Sequence, residues 1–265
     1  MNDIMANPAL AGLIAGMVTW FFTSLGAAAV FLRQQFTRKS LDIMLGFAAG
    51  VMLAASVFSL LNPALELAAD MGKWRFIPAA AGFGIGAIAL RLLDYVLPHL
   101  HLVENSSDGP NTQLPRSILL ILAITLHNIP EALAVGVAFG AAAIDPALGI
   151  GGAITLMFGI GLQNVPEGMA VSIPLVREGM GRWKAFFFGQ LSGIVEPVAA
   201  VIGAVLTSFA LPLLPWALGF AAGAMVFVSV EEVIPEAHAS GNGDAATMGV
   251  ILGFMLMMSL DVLFG

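Results

Sequence analysis

The sequence contains no cysteine, and only 10% of its 265 residues are charged. The absence of cysteine excludes disulfide bonds and thiolate metal sites, so any metal would be held by His, Asn, Gln, Asp, Glu or Met. Soluble domains carry about 25% charged residues, so this chain is not an ordinary soluble domain. Lys and Arg are outnumbered by Asp and Glu, 10 against 17, which argues against a nucleic-acid partner.

The chain is instead rich in apolar residues, which make up 59% of it and recur in runs long enough to cross a bilayer. Interruptions by Pro, Gly, Asn and charged residues predict a single transmembrane domain of eight helices, an all-α integral membrane protein whose partner is the lipid bilayer. The predicted spans are 6–31, 41–62, 75–98, 116–141, 147–175, 184–208, 212–237 and 245–263, with a longer cytoplasmic loop at 99–115.

The distribution of basic residues predicts the orientation, because Lys and Arg accumulate on the cytoplasmic side of membrane proteins. If both termini are extracytoplasmic, eight of the ten basic residues lie on the inner side and only Lys73 and Arg75 lie outside. We therefore expect a multi-pass protein of the cell membrane, either an inner or a plasma membrane, with both ends facing out.

A short internal repeat suggests how the spans are arranged. The segment GFAAGVM at 46–52 in the second span matches GFAAGAM at 219–225 in the seventh. These spans are five apart, so the two copies cross the membrane in opposite directions. This predicts a 3+2+3 inverted-repeat bundle, an arrangement typical of secondary transporters. The alternative interpretation is that both segments are only small-residue packing faces.

Two near-copies of a polar motif lie at the centres of the fourth and fifth predicted spans, LHNIPE at 126–131 and LQNVPE at 162–167. Polar residues at membrane depth are costly and therefore indicate a functional site. Helical spacing places the polar residues of each motif on one face, and Pro130 and Pro166 predict a bend in each helix. The candidate residues are His127, Asn128 and Glu131 in the first copy and Gln163, Asn164 and Glu167 in the second.

A third acid, Glu196, lies within the sixth predicted span beside Pro197. Three carboxylates cannot all remain ionised and unpaired in a dry interior, so divalent cations, protons or both must neutralise them. Imidazole, carboxylate and amide oxygen together suit Zn²⁺ foremost, with Cd²⁺, Fe²⁺, Mn²⁺, Co²⁺ and Ni²⁺ as alternatives. A protonated hydrogen-bond network that only holds the helices together also remains open.

The paired motifs, His127-Asn128-x-Pro130-Glu131 and Gln163-Asn164-x-Pro166-Glu167-Gly168, resemble those of the ZIP (Zrt/Irt-like protein) metal transporters, in particular their bacterial GufA-like branch. The resemblance covers essentially the whole chain. It implies that zinc or another divalent metal is taken up into the cytosol through a binuclear site between the fourth and fifth helices. It also implies an elevator-type shift of spans 1, 4, 5 and 6 against spans 2, 3, 7 and 8, for which glycine-rich faces would provide sliding contacts.

Motif matching to this family implies two sets of metal ligands that share glutamates. The first set comprises Met52, His127, Glu131, Gln163 and Glu167, and the second comprises Asn128, Glu131, Asn164, Glu167 and Glu196. The chain departs from the family pattern at Ala132, where Gly is usual, and at Asn164, where some relatives have Asp. The neutral Asn164 implies a weaker second ion.

Other polar residues lie near the predicted ends of the spans. Glu66 and Asp261 on the outer side would attract cations, and the inner side carries His99, His101, Glu232 and Glu236, which would pass the metal to the cytosol. Each of them has an equally ordinary interpretation as a solvated charge.

Three other functions use the same central residues. One is a metal sensor or scaffold that does not transport, which metal flux into proteoliposomes would eliminate. A passive, metal-selective channel differs from a carrier only in mechanism, and the sequence does not separate them. An intramembrane metalloenzyme is disfavoured because the sequence lacks a His-Glu-x-x-His motif, so we predict that the chain is not an enzyme. Metal preference and homodimer formation are left open.

Overall fold

The computed structural model describes residues 7–32, 36–96, 99–101, 106–108, 116–144, 150–209 and 211–264. These residues are almost entirely helical, and the exception is a pair of antiparallel three-residue strands, His99–His101 and Ser106–Asp108, in the predicted 99–115 loop. The longer helices of the described part are α1 Pro8–Phe31, α2 Arg38–Leu67, α3 Phe76–Val96, α4 Arg116–Ile144, α5 Ile150–Arg177, α6 Arg182–Leu191, α7 Val195–Phe209, α8 Leu214–His238 and α9 Gly243–Phe264. Two short 3-10 helices lie at Ala69–Trp74 and Leu211–Leu213.

Seven segments of the described residues are long and apolar enough to cross a membrane. They comprise α1, α2, α3, α4, α6 together with α7, α8, and α9. Helix α5 has 28 residues but is not among the seven, because the polar residues of its LQNVPE motif lower its mean hydropathy. The chain is a multi-pass helical membrane protein.

The sixth predicted span, 184–208, consists of two helices rather than one. Residues 192–194 form turns between α6 and α7, and the N–H of Glu196 donates to the Gly193 carbonyl at 2.9 Å. Pro197 has no N–H, and its ring clashes with the carbonyl four residues earlier, which is that of Gly193. The helix therefore restarts after the turns, and Glu196 lies in the first turn of α7. By contrast, α4 and α5 continue as helices through Pro130 and Pro166.

Both GFAAG segments pack their glycines against the backbone of a neighbouring helix. The residue numbers in each pair rise together, so α2 runs parallel to α9, and α8 runs parallel to α3. The contacts are Gly46 with Ala246, Gly50 with Val250, Gly219 with Ala79 and Gly223 with Phe83. Both copies are therefore packing faces.

The helices divide into two bundles, one formed by α2, α3, α8 and α9 and the other by α1 and α4–α7. The expectation that glycine-rich faces provide the sliding contact is wrong, because most of the close glycine contacts lie inside one bundle, as between Gly26 and Val165 or Gly136 and Ala200. The bundles meet mainly where α2 contacts α5 and where α8 contacts α4. The apolar core there includes Met52 of one bundle and Ile160 of the other.

Candidate metal centre

The two polar motifs face each other from α4 and α5. The Gln163 Nε2 of α5 donates a hydrogen bond to Glu131 Oε1 of α4 at 2.6 Å. The first turn of α7 joins them, since Asn164 Nδ2 donates to Glu196 Oε2 at 2.9 Å. The structure thus brings together side chains that are 32 residues apart in each of these pairs.

All eight central candidates are buried, with His127 5% exposed and the others less. They are Met52, His127, Asn128, Glu131, Gln163, Asn164, Glu167 and Glu196. Met52 comes from the other bundle, and its backbone carbonyl accepts a hydrogen bond from Ser56 Oγ at 2.8 Å. Met52 shares an apolar core with Ile160, which lies one turn before Gln163 on α5.

The three amide side chains of the centre are oriented alike. Gln163 and Asn164 direct their NH₂ groups at carboxylates, and Asn128 Nδ2 donates to the Ser192 carbonyl at 3.0 Å. Within the described part of the chain, six buried oxygens here accept no hydrogen bond: Oδ1 of Asn128 and Asn164, Oε1 of Gln163, Oε2 of Glu131 and both carboxylate oxygens of Glu167. Buried oxygens without donors are costly, and a cation satisfies several of them at once.

No Lys or Arg supplies that positive charge among the ion pairs of the described residues. Nor do any three His, Asp or Glu side chains of this part of the chain already surround one metal position. The amide oxygens and the Met52 thioether would therefore have to complete the coordination of an ion. Such a mixed set of O, N and S donors suits a borderline divalent metal better than Mg²⁺ or Ca²⁺.

His127 connects this centre to the inner group of acids. Its Nε2 lies 2.8 Å from Glu232 Oε2 of α8. Glu236, one turn further along α8, contacts Arg38 instead, with 2.6 Å between Arg38 Nη2 and Glu236 Oε1. The two acids, grouped together in the sequence analysis, therefore have different partners.

Of the remaining predicted site residues, the structure describes the side chains of Asp261 and Glu66. Asp261 Oδ1 accepts a hydrogen bond from Ser59 Oγ at 2.5 Å, which joins α9 to α2. Glu66 is exposed near the end of α2. His99 and His101 lie on the first short strand, but their side chains are outside what the structure describes.

Two residues of α1 that the sequence analysis missed also contact this region. Thr23 Oγ1 donates to Glu196 Oε1 at 2.6 Å, and Trp20 Nε1 donates to the Gln190 carbonyl at 2.9 Å, beside the break between α6 and α7. The only signal of Thr23 and Trp20 in the sequence is that each places a hydrogen-bond donor near the middle of an apolar span, where a buried donor requires a partner.

Comparisons with known proteins identify the family of the chain. The family model described as "ZIP Zinc transporter" matches residues 100–261. The zinc transporter ZIP11 of Xenopus tropicalis is 42% identical, with 98% of each chain covered. The zinc transporter GufA of Myxococcus xanthus is 39% identical, covering 96% of this chain and 99% of its own.

The zinc transporter ZIPB of Bordetella bronchiseptica is 38% identical, covering all of this chain and 84% of its own length. These proteins are named as transporters and not as enzymes, which agrees with the prediction from the motifs. The chain therefore belongs to the ZIP zinc transporter family, a family of transporters rather than enzymes.

Proposed function

We propose that the protein transports Zn²⁺ across the membrane as its substrate, through the buried centre between α4, α5 and α7. The observation that carries the proposal is the group of six buried oxygens without hydrogen-bond donors in the described part of the chain. Membership of the family and the names of the relatives support zinc as the ion. Other divalent metals remain competitors to be tested in a metal panel.

The resemblance of the paired motifs to the family implies two ion positions. The first would use Met52, His127, Glu131, Gln163 and Glu167, and the second would use Asn128, Glu131, Asn164, Glu167 and Glu196. His127 contacts Glu232, so binding the first ion requires His127 to exchange this carboxylate for the metal. Glu131 and Glu167 would bridge both ions, and Glu167 has both oxygens available for this.

We further propose that α5 is the eighth span, although its hydropathy is low. At 1.5 Å per residue, its 28 residues extend about 42 Å, longer than the roughly 30 Å hydrocarbon core. It packs against α1, α2 and α4, three helices that are apolar enough to span. Its polar residues therefore face protein rather than lipid.

The inverted repeat extends beyond the GFAAG segments. Met52 and Met225 occupy equivalent positions, and each accepts a hydrogen bond from a serine four residues later, Ser56 or Ser229, at 2.8 Å. Each copy then enters a short π-helical segment, at Ser56–Leu61 and Ser229–Val233. This equivalence supports a 3+2+3 arrangement. An even number of spans puts both termini on one side, and the distribution of Lys and Arg favours the extracytoplasmic side.

The division into two bundles supports a carrier of the elevator type. The bundle of α1 and α4–α7 contains seven of the eight central residues, whereas Met52 belongs to the α2, α3, α8 and α9 bundle. The moving contact would run along apolar residues of α2 and α5 and of α4 and α8. Movement of the first bundle would carry the ion from the outside to the cytosol.

Removing the two bridging carboxylates tests this function. We expect the double substitution Glu131→Gln and Glu167→Gln, which keeps side-chain size, to reduce zinc uptake by proteoliposomes to that of protein-free vesicles. The exposed Glu178 provides a matched control, since Glu178→Gln should transport like the wild type. Zinc uptake by the well-folded double variant at the wild-type rate would rule out the proposed site.

A further inference from the structure

Glu196 differs from the other two central carboxylates because both of its oxygens accept hydrogen bonds. Oε2 accepts from Asn164 of α5, and Oε1 accepts from the Thr23 hydroxyl of α1 at 2.6 Å. Thr23 and Glu196 are both entirely buried. The orientation of this carboxylate is therefore set by two neighbouring helices rather than by water.

Two glycines allow α1 to approach this closely. Gly168, directly after the LQNVPE motif, lies against the Thr23 backbone carbonyl, and a side chain there would collide with it. Gly193, in the turn before α7, faces the Thr23 side chain, and a Cβ there would come within 2.9 Å of Thr23 Cγ2. Thr23 is thus held between the polar motif of α5 and the turn that precedes Glu196.

We propose that Thr23 is a positioning residue for the second ion position, an inference that rests on the proposed zinc site. Its hydroxyl holds Glu196 Oε1 so that the carboxylate faces the unsatisfied oxygens of Asn164 and Asn128. The hydroxyl does not touch the ion itself. Outer-shell hydrogen bonds of this kind typically change metal affinity by about 10–100-fold.

The substitution Thr23→Val keeps the shape of the side chain and removes the donor. We expect it to weaken one of two zinc-binding steps by about 10-fold or more and to leave the other unchanged, as measured by titration calorimetry on the detergent-solubilised full chain. Thr23→Ser restores the hydroxyl and should restore wild-type binding. If Val does not give a folded protein, Thr23→Ala takes its place.

The control must be a buried threonine away from the centre. Thr19, one turn earlier, also interacts with Glu196 and is unsuitable. Thr207 of α7 is buried and donates only to the Gly203 carbonyl in the described structure, at 2.8 Å. Thr207→Val should therefore leave both binding steps unchanged.

A double-mutant cycle with Glu196→Gln separates positioning from packing. If Thr23 acts through this carboxylate, Thr23→Val should change zinc binding in the wild type and have no further effect in Glu196→Gln. An equal effect in both backgrounds would overturn the proposal, as would a Ser variant as defective as Val. If the wild-type protein neither binds nor transports zinc, the proposed function is refuted. If the wild type transports zinc and the Thr23→Val variant binds zinc as the wild type does, only the role of Thr23 is refuted.

Discussion

At the scale of single residues, the orientation of three amides distinguishes this centre from an ordinary buried network. In most interiors both ends of a buried amide find partners. Here the NH₂ groups of Asn128, Gln163 and Asn164 donate, while the three amide oxygens accept nothing from the described residues. The amides therefore leave their oxygens, the donor type that a cation needs, without partners in the described part of the chain.

Replacing the neutral amide oxygen of Asn164 by a carboxylate, in Asn164→Asp, should give a site that binds zinc more strongly. The introduced carboxylate cannot donate to Glu196, and two adjacent carboxylates repel each other, so we expect the metal-free variant to lose about 1–3 kcal/mol of stability. The added charge should also strengthen zinc binding. Thermal unfolding in detergent should therefore show a lower melting temperature without zinc and a larger zinc-induced increase than in the wild type.

A control with the same chemistry exists outside the centre. Asn242 Nδ2 donates to the buried carboxylate Asp42 at 2.8 Å, so Asn242→Asp also replaces a donor with a carboxylate. Because Arg38 Nε lies 2.8 Å from Asp42 Oδ1 and offsets part of the repulsion, the metal-free form should lose less stability than that of Asn164→Asp. Zinc should stabilise this variant no more than the wild type. Equal zinc responses in Asn164→Asp and Asn242→Asp would contradict the assignment of Asn164 to the ion site.

At the scale of the elements, glycines determine which helices pack closely. The α3–α8 pair has glycines on both helices, so that each backbone meets the other directly. Without a hydrophobic driving force inside the bilayer, such close packing is a principal source of helix association. The sequence of the GFAAG segments is therefore equally compatible with a packing face and with a structural repeat.

Gly223→Ala tests this packing because a Cβ there would collide with the Phe83 carbonyl. We expect a loss of about 1–3 kcal/mol from the strain that overpacking produces. Gly84 lies on α3 next to Phe83 with no atom within 4 Å of the position of a Cβ, so Gly84→Ala is the matched control. It should be neutral or more stable by about 0.5–1 kcal/mol, because Ala favours helix. Equal melting temperatures in detergent would contradict the argument.

At the scale of the whole molecule, transport by an elevator requires one bundle to move against the other. Val51 of α2 and Gly159 of α5 face each other across this boundary, with 3.8 Å between Val51 Cγ1 and the position of a Cβ on Gly159. The flexible end of the Met257 side chain of α9 lies closer to that position and must shift in a Gly159 variant. The sequence has no cysteine, so introduced cysteine pairs form the only disulfide available. The boundary can therefore be locked and released chemically.

We expect oxidation of a Val51→Cys and Gly159→Cys protein to stop zinc uptake and reduction to restore it, because the disulfide prevents relative movement. The controls are the single variants Val51→Cys and Gly159→Cys, which cannot form this disulfide, and Gly159→Cys also reports any effect of displacing Met257. Oxidation should leave their uptake unchanged. Full uptake by the fully oxidised Val51–Gly159 pair would favour the passive channel over the carrier.

The sequence determined the membrane class, the helical fold and the family, because hydropathy, helical spacing and the two adjacent motifs are local properties of the chain. The pairing of Asn164 with Glu196 was also foreseeable in outline, because polar groups buried at similar depth in a membrane require polar partners. The contact between His127 and Glu232 was not foreseeable, because the two residues were expected to serve a central and an exit site separately.

Only the tertiary structure decided that α1 contributes to the centre. Thr23 and Glu196 are 173 residues apart, and nothing in their local patterns relates one to the other. It also decided that the sixth span divides before Glu196. It decided further that most close glycine contacts lie within one bundle rather than between the two bundles. These features depend on which backbones meet, and that follows from packing between distant segments rather than from the properties of any one segment.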